Sequence, residues 1–168
     1  MNMSGEFVIS SADDALSKVG MTLGVSNWHL VDQASINAFG LLTADQQWIH
    51  TDPDKAKQGP FGGCVAHGLY SLSLAGGGLF HETVKVDAQM GVNYGCNRVR
   101  YPAPLLVGKR VRGHSVLKQA ESIAGNGVQL VVEVTVEIES EAKPACVAEF
   151  VVRFFFKLTS DQDYPKNE

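Results

Sequence analysis

The amino-acid sequence predicts an α+β fold in which an antiparallel sheet wraps a central apolar helix. In the first half, apolar or small residues recur at helical spacing: Leu69, Leu72, Gly76, Leu79 and Phe80. In the second half, the period changes to two, as in the series Leu130, Val132, Val134, Val136 and Ile138. A helix that is apolar on most sides and a sheet with one apolar face can bury each other.

Three shorter helices are predicted before the central one. The first begins at Ser11, a good cap, and ends at Gly20. The second follows Asp32, another good cap, and the side expected to be buried carries Ile36, Phe39, Gly40 and Leu42. The third begins with Pro53, which suits the first helical position, and ends at Lys57.

The predicted central helix spans residues 66–80 and contains Gly76-Gly77-Gly78. Because its apolar residues occupy several sides, this helix is expected to be buried by other elements on all sides. Each glycine costs about 1 kcal/mol relative to alanine in a helix. Two outcomes are therefore open: close backbone packing compensates for the glycines, or the helix ends there.

Three strands are predicted in the second half, over residues 111–117, 130–138 and 146–156. Asn126-Gly127 and Lys143-Pro144 supply the turns between them. The stretch 86–97, which contains Gly, Asn and Gln, is the part of the chain that most resembles a linker. The sequence has no internal repeat, so we predict one domain at residues 21–160, with a peripheral segment at 1–20 and a tail at 161–168.

Composition excludes several classes of protein. The 168 residues suit one core, and with 45% hydrophobic and 19% charged residues the chain is too apolar to be disordered. Its apolar runs are far shorter than the ~20 residues that span a bilayer. The net charge of −4 gives no basic field for nucleic acid or anionic lipid, so neither nucleic acid nor membrane is an expected partner.

The cysteines and the N-terminus indicate a cytoplasmic protein. Cys64, Cys96 and Cys146 are widely spaced and odd in number, so they are expected to be reduced and mostly buried. The first twenty residues have neither a basic start nor an apolar signal core. No metal is predicted, because the remaining histidines have no ligand spacing to one another or to the cysteines: His29, His81 and His114.

Asp45 and His50 are the candidates for catalysis, because they bracket a predicted helix end where their side chains could converge. A carboxylate beside an imidazole can fix the ring and, with it, activate one water molecule. Further on, Gly68 lies at the start of the central helix, where free N–H groups could stabilise an oxyanion. On spacing alone a structural interpretation is more frequent, since such an aspartate is usually a cap and a lone histidine a surface residue.

The segments TADQQWIHTDPDKA and GPFGGCVAHGLYSLSL change that balance. They resemble the MaoC-like (R)-specific enoyl-CoA hydratase/dehydratase family, most closely the subgroup related to nodulation protein N. The resemblance extends by motif over residues 19–113. It implies a single hotdog fold, a long central helix wrapped by an antiparallel sheet. It also implies a homodimer or dimer of dimers with active sites near the subunit interface.

The resemblance also implies an activity and its residues. Asp45 and His50 match the catalytic pair, and the N–H of Gly68 would polarise the carbonyl of an acyl thioester. The reaction is then addition of water to a trans-2-enoyl thioester to give an (R)-3-hydroxyacyl thioester, or the reverse. Coenzyme A is the expected carrier, with no other cofactor. Gln47 is expected to contact the substrate or the aspartate loop.

Departures from the family pattern leave alternatives open. Gln47-Trp48 replaces the familiar Asn-Pro, Ala44 replaces a common glycine, and Gly76 stands where some relatives have a serine. The same fold could serve as a dehydratase of branched or dicarboxylic acyl thioesters or as a thioesterase. It could also be a non-catalytic acyl-binding or partner subunit, although the retained acid and imidazole argue against that.

Overall fold

A computed structural model describes residues 7–157, which are built around a six-stranded antiparallel sheet. Its strands are β2 (Thr22–Val25), β3 (His29–Leu30), β5 (Met90–Arg100), β6 (Arg110–Ile123), β7 (Gly127–Ile138) and β8 (Cys146–Phe155). Their order is β2–β6–β7–β8–β5, and β3 also pairs with β6. Strands β1 (Val8–Ile9) and β4 (Lys85–Val86) form a separate parallel pair.

Three helices begin where Ser11, Asp32 and Pro53 predict, whereas the central helix begins at Gly68 instead of residue 66 and one short helix was not predicted. They are α1 (Ala12–Ser17), α2 (Gln33–Thr43), α3 (Trp48–Thr51), α4 (Pro53–Lys57) and α5 (Gly68–Leu74). The side chains of Ser11 and Asp32 accept hydrogen bonds from the first turns of α1 and α2, as predicted. The expectation for Leu42 is wrong, since this side chain is 85% exposed. It lies two residues beyond the buried Gly40, which turns it by about 200° to the opposite side of α2.

The central helix is kinked at its glycines, and helical structure resumes beyond the kink. After Leu74 it widens into a π turn (Ala75–Leu79), where Gly77 has non-helical angles of φ −109° and ψ −115°. At Gly76 the helix packs closely on β8, because a Cβ there would lie 2.5 Å from the ring of Phe150. The prediction that other parts of the protein cover this helix on all sides is wrong among the described residues, since Leu69 is 61% exposed.

The core lies between this helix and the concave face of the sheet. The alternating residues of β7, from Leu130 to Ile138, are at most 2% exposed, so the predicted strand is confirmed. The linker-like interpretation of residues 86–97 is wrong, because most of this stretch belongs to β5. β5 is an edge strand that pairs only with β8 among the described strands. Nearly all its residues are exposed, so buried and exposed positions do not alternate along it.

The N-terminal elements contact the main core. Ile9 and Ala15 are both fully buried, so part of the segment predicted as peripheral packs on the sheet. The tail at 161–168 lies outside the described residues. All three cysteines are free; Cys64 and Cys146 are buried, but Cys96 on β5 is exposed. Between residues 7 and 157, no helix combines the length and the apolar character that crossing a membrane requires.

Candidate functional site

Asp45 lies in the connection between α2 and α3, and His50 lies in α3. α2 ends at Thr43, and Ala44 adopts a left-handed conformation with φ 59° and ψ 20°. Gln47 caps α3, and His50 is the third residue of that short helix. The sequence therefore places the two candidates correctly at a bend, and the bend follows from the left-handed cap.

The imidazole of His50 is held by the backbone. The ring is 8% exposed, and its Nδ1 lies 2.6 Å from the carbonyl oxygen of Val65. A carbonyl can only accept, so Nδ1 donates, and Nε2 of the neutral ring keeps its lone pair. The sequence had assigned this orienting role to the Asp45 carboxylate, and the Val65 carbonyl has it instead. The backbone carbonyl of His50 accepts a hydrogen bond of 2.7 Å from Gln33 Nε2, which ties α3 to α2.

The structure brings a third side chain to this pair. One carboxylate oxygen of Asp45 and one ring nitrogen each of His50 and His67 lie within 4.8 Å of one another. A water molecule that makes two hydrogen bonds of about 2.8 Å at a tetrahedral angle spans about 4.5 Å. The spacing therefore suits one bridging water. The Asp45 side chain is exposed, and within residues 7–157 no group donates a hydrogen bond to its carboxylate.

These three residues are also of types that bind metals. The rings of His50 and His67 are stacked, however, with centroids 3.8 Å apart and planes inclined by 26°. The lone pair of each ring lies in the plane of that ring, and two nearly parallel planes at stacking distance do not meet at one ion, whereas tetrahedral ligands all point at the metal. This geometry suits a water molecule better than a metal ion. His114 on β6 is not part of this cluster, and its Nε2 lies 2.5 Å from a carboxylate oxygen of Glu137.

Gly68 lies next to this cluster, since it directly follows His67. As the first residue of α5, its N–H has no acceptor within the helix, so it can bind a ligand oxygen. A Cβ at this position would lie 3.0 Å from the ring of Tyr101. The absence of a side chain at Gly68 therefore makes room for the ring of Tyr101. Burial raises the pKa of Tyr101, so the phenol stays uncharged at neutral pH.

Gln47 has a clear backbone role. Its carbonyl accepts hydrogen bonds from the N–H groups of His50, at 2.9 Å, and Thr51, at 3.3 Å, which start α3. Its side chain is exposed and makes no capping hydrogen bond. The role expected for this side chain in substrate binding remains a prediction. His67 was given no role from the sequence, and the only signal for it was its position directly before Gly68.

Comparisons with known proteins agree on one family. The family model described as "MaoC like domain" matches residues 14–142. The chain is 44% identical over 145 residues to 3-hydroxyacyl-thioester dehydratase Z of Mycobacterium tuberculosis, covering 86% of this chain and 95% of that protein. It is 41% identical over 158 residues to nodulation protein N of Rhizobium meliloti, covering 93% and 96%.

Solved structures agree on the fold. The MaoC-like dehydratase from Rhodospirillum rubrum superposes with a TM-score of 0.70 at 20% identity, over 84% of this chain and 94% of that one. The (R)-hydratase from A. caviae, described as involved in PHA biosynthesis, gives a TM-score of 0.65 at 19% identity, over 82% and 96%. At these identities the likeness concerns the fold alone.

Proposed function

Because this chain belongs to the MaoC-like domain family, we propose that it is a hydro-lyase of acyl thioesters. It adds water to trans-2-enoyl thioesters to give (R)-3-hydroxyacyl thioesters, or removes water in the reverse direction. The hotdog fold and the family predicted from the sequence are both confirmed. The observation that supports the chemistry best is the spacing of Asp45 and His50, which suits one bridging water.

The reaction follows from the atoms that surround this water. In hydration, Nε2 of His50 accepts a proton from the water that it shares with Asp45, and the hydroxide adds to the β carbon of the substrate. Electron density moves to the thioester oxygen, where the N–H of Gly68 and the positive end of α5 stabilise it. The proton then returns to the α carbon. Both parts of one water molecule are thereby used, and dehydration is the same sequence reversed.

The test is incubation with crotonyl-, octenoyl- and branched enoyl-CoA. Hydration removes the conjugated double bond, so ultraviolet absorbance falls while no free thiol is released. Free thiol instead of a hydroxyacyl product would identify a thioesterase. No change with any of the thioesters would contradict the proposal.

Coenzyme A is the carrier that we propose, and fatty acid metabolism is the setting that such products fit. The three free cysteines support a reducing compartment, the cytoplasm. Comparing each CoA thioester with the same acyl group on acyl carrier protein tests the carrier. A higher kcat/KM for the protein-bound substrates would contradict the assignment of coenzyme A.

The chain is proposed to act as a homodimer, paired through β5. This edge strand of 11 residues presents Met90 at 51%, Val92 at 42% and Tyr94 at 59% exposure. An exposed apolar edge invites pairing with a second copy. Light scattering should report a dimer, and Val92→Lys should weaken it, whereas Val25→Lys on β2 should not. A wild-type protein that is monomeric at every concentration would contradict this part of the proposal.

A further inference from the structure

His67 is the most completely enclosed polar side chain of the site. It is 3% exposed and directly precedes α5. One face of its ring stacks on His50, and the ring of Phe39 lies 5.2 Å away at an inclination of 51°. A polar side chain in such a place is normally held there by a specific hydrogen bond.

That hydrogen bond goes to the backbone of the candidate acid. Nε2 of His67 lies 2.8 Å from the carbonyl oxygen of Asp45. Because the carbonyl only accepts, Nε2 carries the hydrogen and donates it. Nδ1 is then the bare nitrogen of the neutral ring, and it is buried with no hydrogen-bond partner among residues 7–157. The two stacked histidines therefore have opposite tautomers: His50 is protonated on Nδ1 and His67 on Nε2.

The hydrogen bond fixes a part of the chain that has few other restraints. Asp45 follows the left-handed Ala44, and its carboxylate receives no hydrogen bond from the described residues. A change in the Asp45 peptide would rotate the carboxylate away from His50. The contact with His67 holds that peptide against the ring that also stacks on the imidazole of His50.

Gly40 on α2 shows that this arrangement is tightly packed. A Cβ at this position would lie 2.8 Å from the Asp45 carbonyl oxygen and 3.4 Å from Cε1 of His67. Any larger residue would push the carbonyl off its donor. The backbone of α2 therefore packs directly against the hydrogen bond.

We propose that His67 is a positioning residue that sets the carboxylate of Asp45 and the ring of His50 at their working distance. It acts through a backbone carbonyl and a stacking contact, without touching the substrate. The role rests on the proposed hydratase function. A displacement of about 1 Å in a catalytic group can cost about 10²-fold in rate, which is the loss expected when the hydrogen bond is removed.

Two variants separate the hydrogen bond from the stacking. His67→Phe keeps a flat ring on His50 but has no donor, and it should lower kcat for crotonyl-CoA about 10²-fold with KM nearly unchanged. His67→Gln can place an amide N–H near the position of Nε2 and should recover at least tenfold of that loss. A merely structural role would lower stability without this rescue. Equal activity of wild type and His67→Phe, or no difference between the two variants, would overturn the proposal.

A measurement on the unaltered protein covers the case in which the variants do not fold. Imidazole ¹⁵N chemical shifts of the full chain report which nitrogen of each histidine is protonated. The expected pattern is Nε2–H for His67 and Nδ1–H for His50, and a His67 ring protonated on Nδ1 alone would refute the inference. This protonation pattern can be measured without any turnover. A protein that shows the pattern but hydrates no thioester would therefore disprove the proposed function and leave the inferred arrangement of the two histidines unaffected.

Discussion

Replacing Gly76 with serine, the residue that some relatives carry at the matching position, should destabilise this protein. A Cβ at Gly76 would lie 2.5, 2.9 and 3.1 Å from three atoms of the Phe150 ring. That ring is 8% exposed and part of the core, so it has little room to move. Overpacking of this kind costs about 1–3 kcal/mol. For a chain of this size, each kcal/mol lowers the melting temperature by about 2–4 °C.

Urea unfolding followed by circular dichroism measures the effect of Gly76→Ser. The matched control is Gly78→Ala, because a Cβ at Gly78 meets nothing within 4 Å. Alanine favours a helix by up to about 1 kcal/mol over glycine, so this control should be neutral or stabilising. Adding Phe150→Leu to Gly76→Ser should cost less than the sum of the two changes, with a coupling of about 0.5–3 kcal/mol.

Two results would refute this reasoning. One is a Gly76→Ser variant that unfolds at the urea concentration of the wild type. The other is strict additivity with Phe150→Leu, since the ring would then not be the obstacle. In either case the absence of the serine from this chain would need a cause other than the aromatic ring on β8.

Three further predictions concern the active site, an ion pair and a thiol. Asp45→Asn and His50→Ala should each lower kcat by about 10²–10⁴ without unfolding the chain, because the first alters the group proposed to hold the attacking water and the second removes the group proposed to accept its proton. Glu137→Gln should cost about 0.5–1 kcal/mol at neutral pH, since the carboxylate is 33% exposed and hydrogen-bonded to Arg112. Those bonds hold the pKa of Glu137 below its usual range. The loss of stability in Glu137→Gln is therefore complete when the pH lies above the pKa of this glutamate in the unfolded chain, about 4.3. It disappears as the pH falls through the lower pKa of Glu137 in the folded protein. Burial raises the pKa of Cys146 to about 11, so its thiol should resist alkylation at pH ~8 until the chain unfolds.

Each of these predictions has a control and a contrary result. Asp54→Asn and His29→Ala change exposed residues outside the site and should leave turnover intact. Full activity of Asp45→Asn or His50→Ala would rule out the mechanism. Urea unfolding at several pH values tests the ion pair, and a cost for Glu137→Gln that grows on acidification would contradict it. Mass spectrometry counts alkylated thiols, and rapid labelling of Cys146 in folded protein would show that the strand opens readily.

The parts of the fold that depend on local chemistry could be predicted from the sequence. Asp32 caps α2 because a side-chain oxygen and an N–H three residues later are enough for a cap. The strand β7 was predictable since an apolar residue that is buried in the fold recurs at every second position from Leu130 to Ile138. The edge strand β5 was missed because its existence depends on pairing with β8. In that pairing the backbone of Gly91 lies beneath the ring of Phe154, which no local pattern reveals.

For the candidate site, too, the sequence predicted the local features and missed the contacts with distant parts of the chain. The helix end after Thr43 placed Asp45 and His50 at one bend, and the motif identified them as a pair. The partners that orient them come from farther along the chain. The Val65 carbonyl is 15 residues from His50, and the ring of His67 is 22 residues from Asp45. Only the folded path of residues 59–68 brings these atoms to the bend.

The bond between the His50 ring and the Val65 carbonyl limits which mutations can disturb His50, the proposed base. Its acceptor belongs to the main chain, so exchanging the side chain of residue 65 leaves the proton-accepting nitrogen in place. Backbone contacts hold that carbonyl in place: the N–H of Val65 donates to the carbonyl of Ile49 at 3.0 Å, and the N–H of Ala66 donates to the carbonyl of Leu105 at 2.7 Å. Side-chain substitution at residue 65 is therefore expected to leave the orientation of the His50 ring unchanged, whereas an insertion or deletion between α4 and α5 should move the acceptor and turn the ring with it.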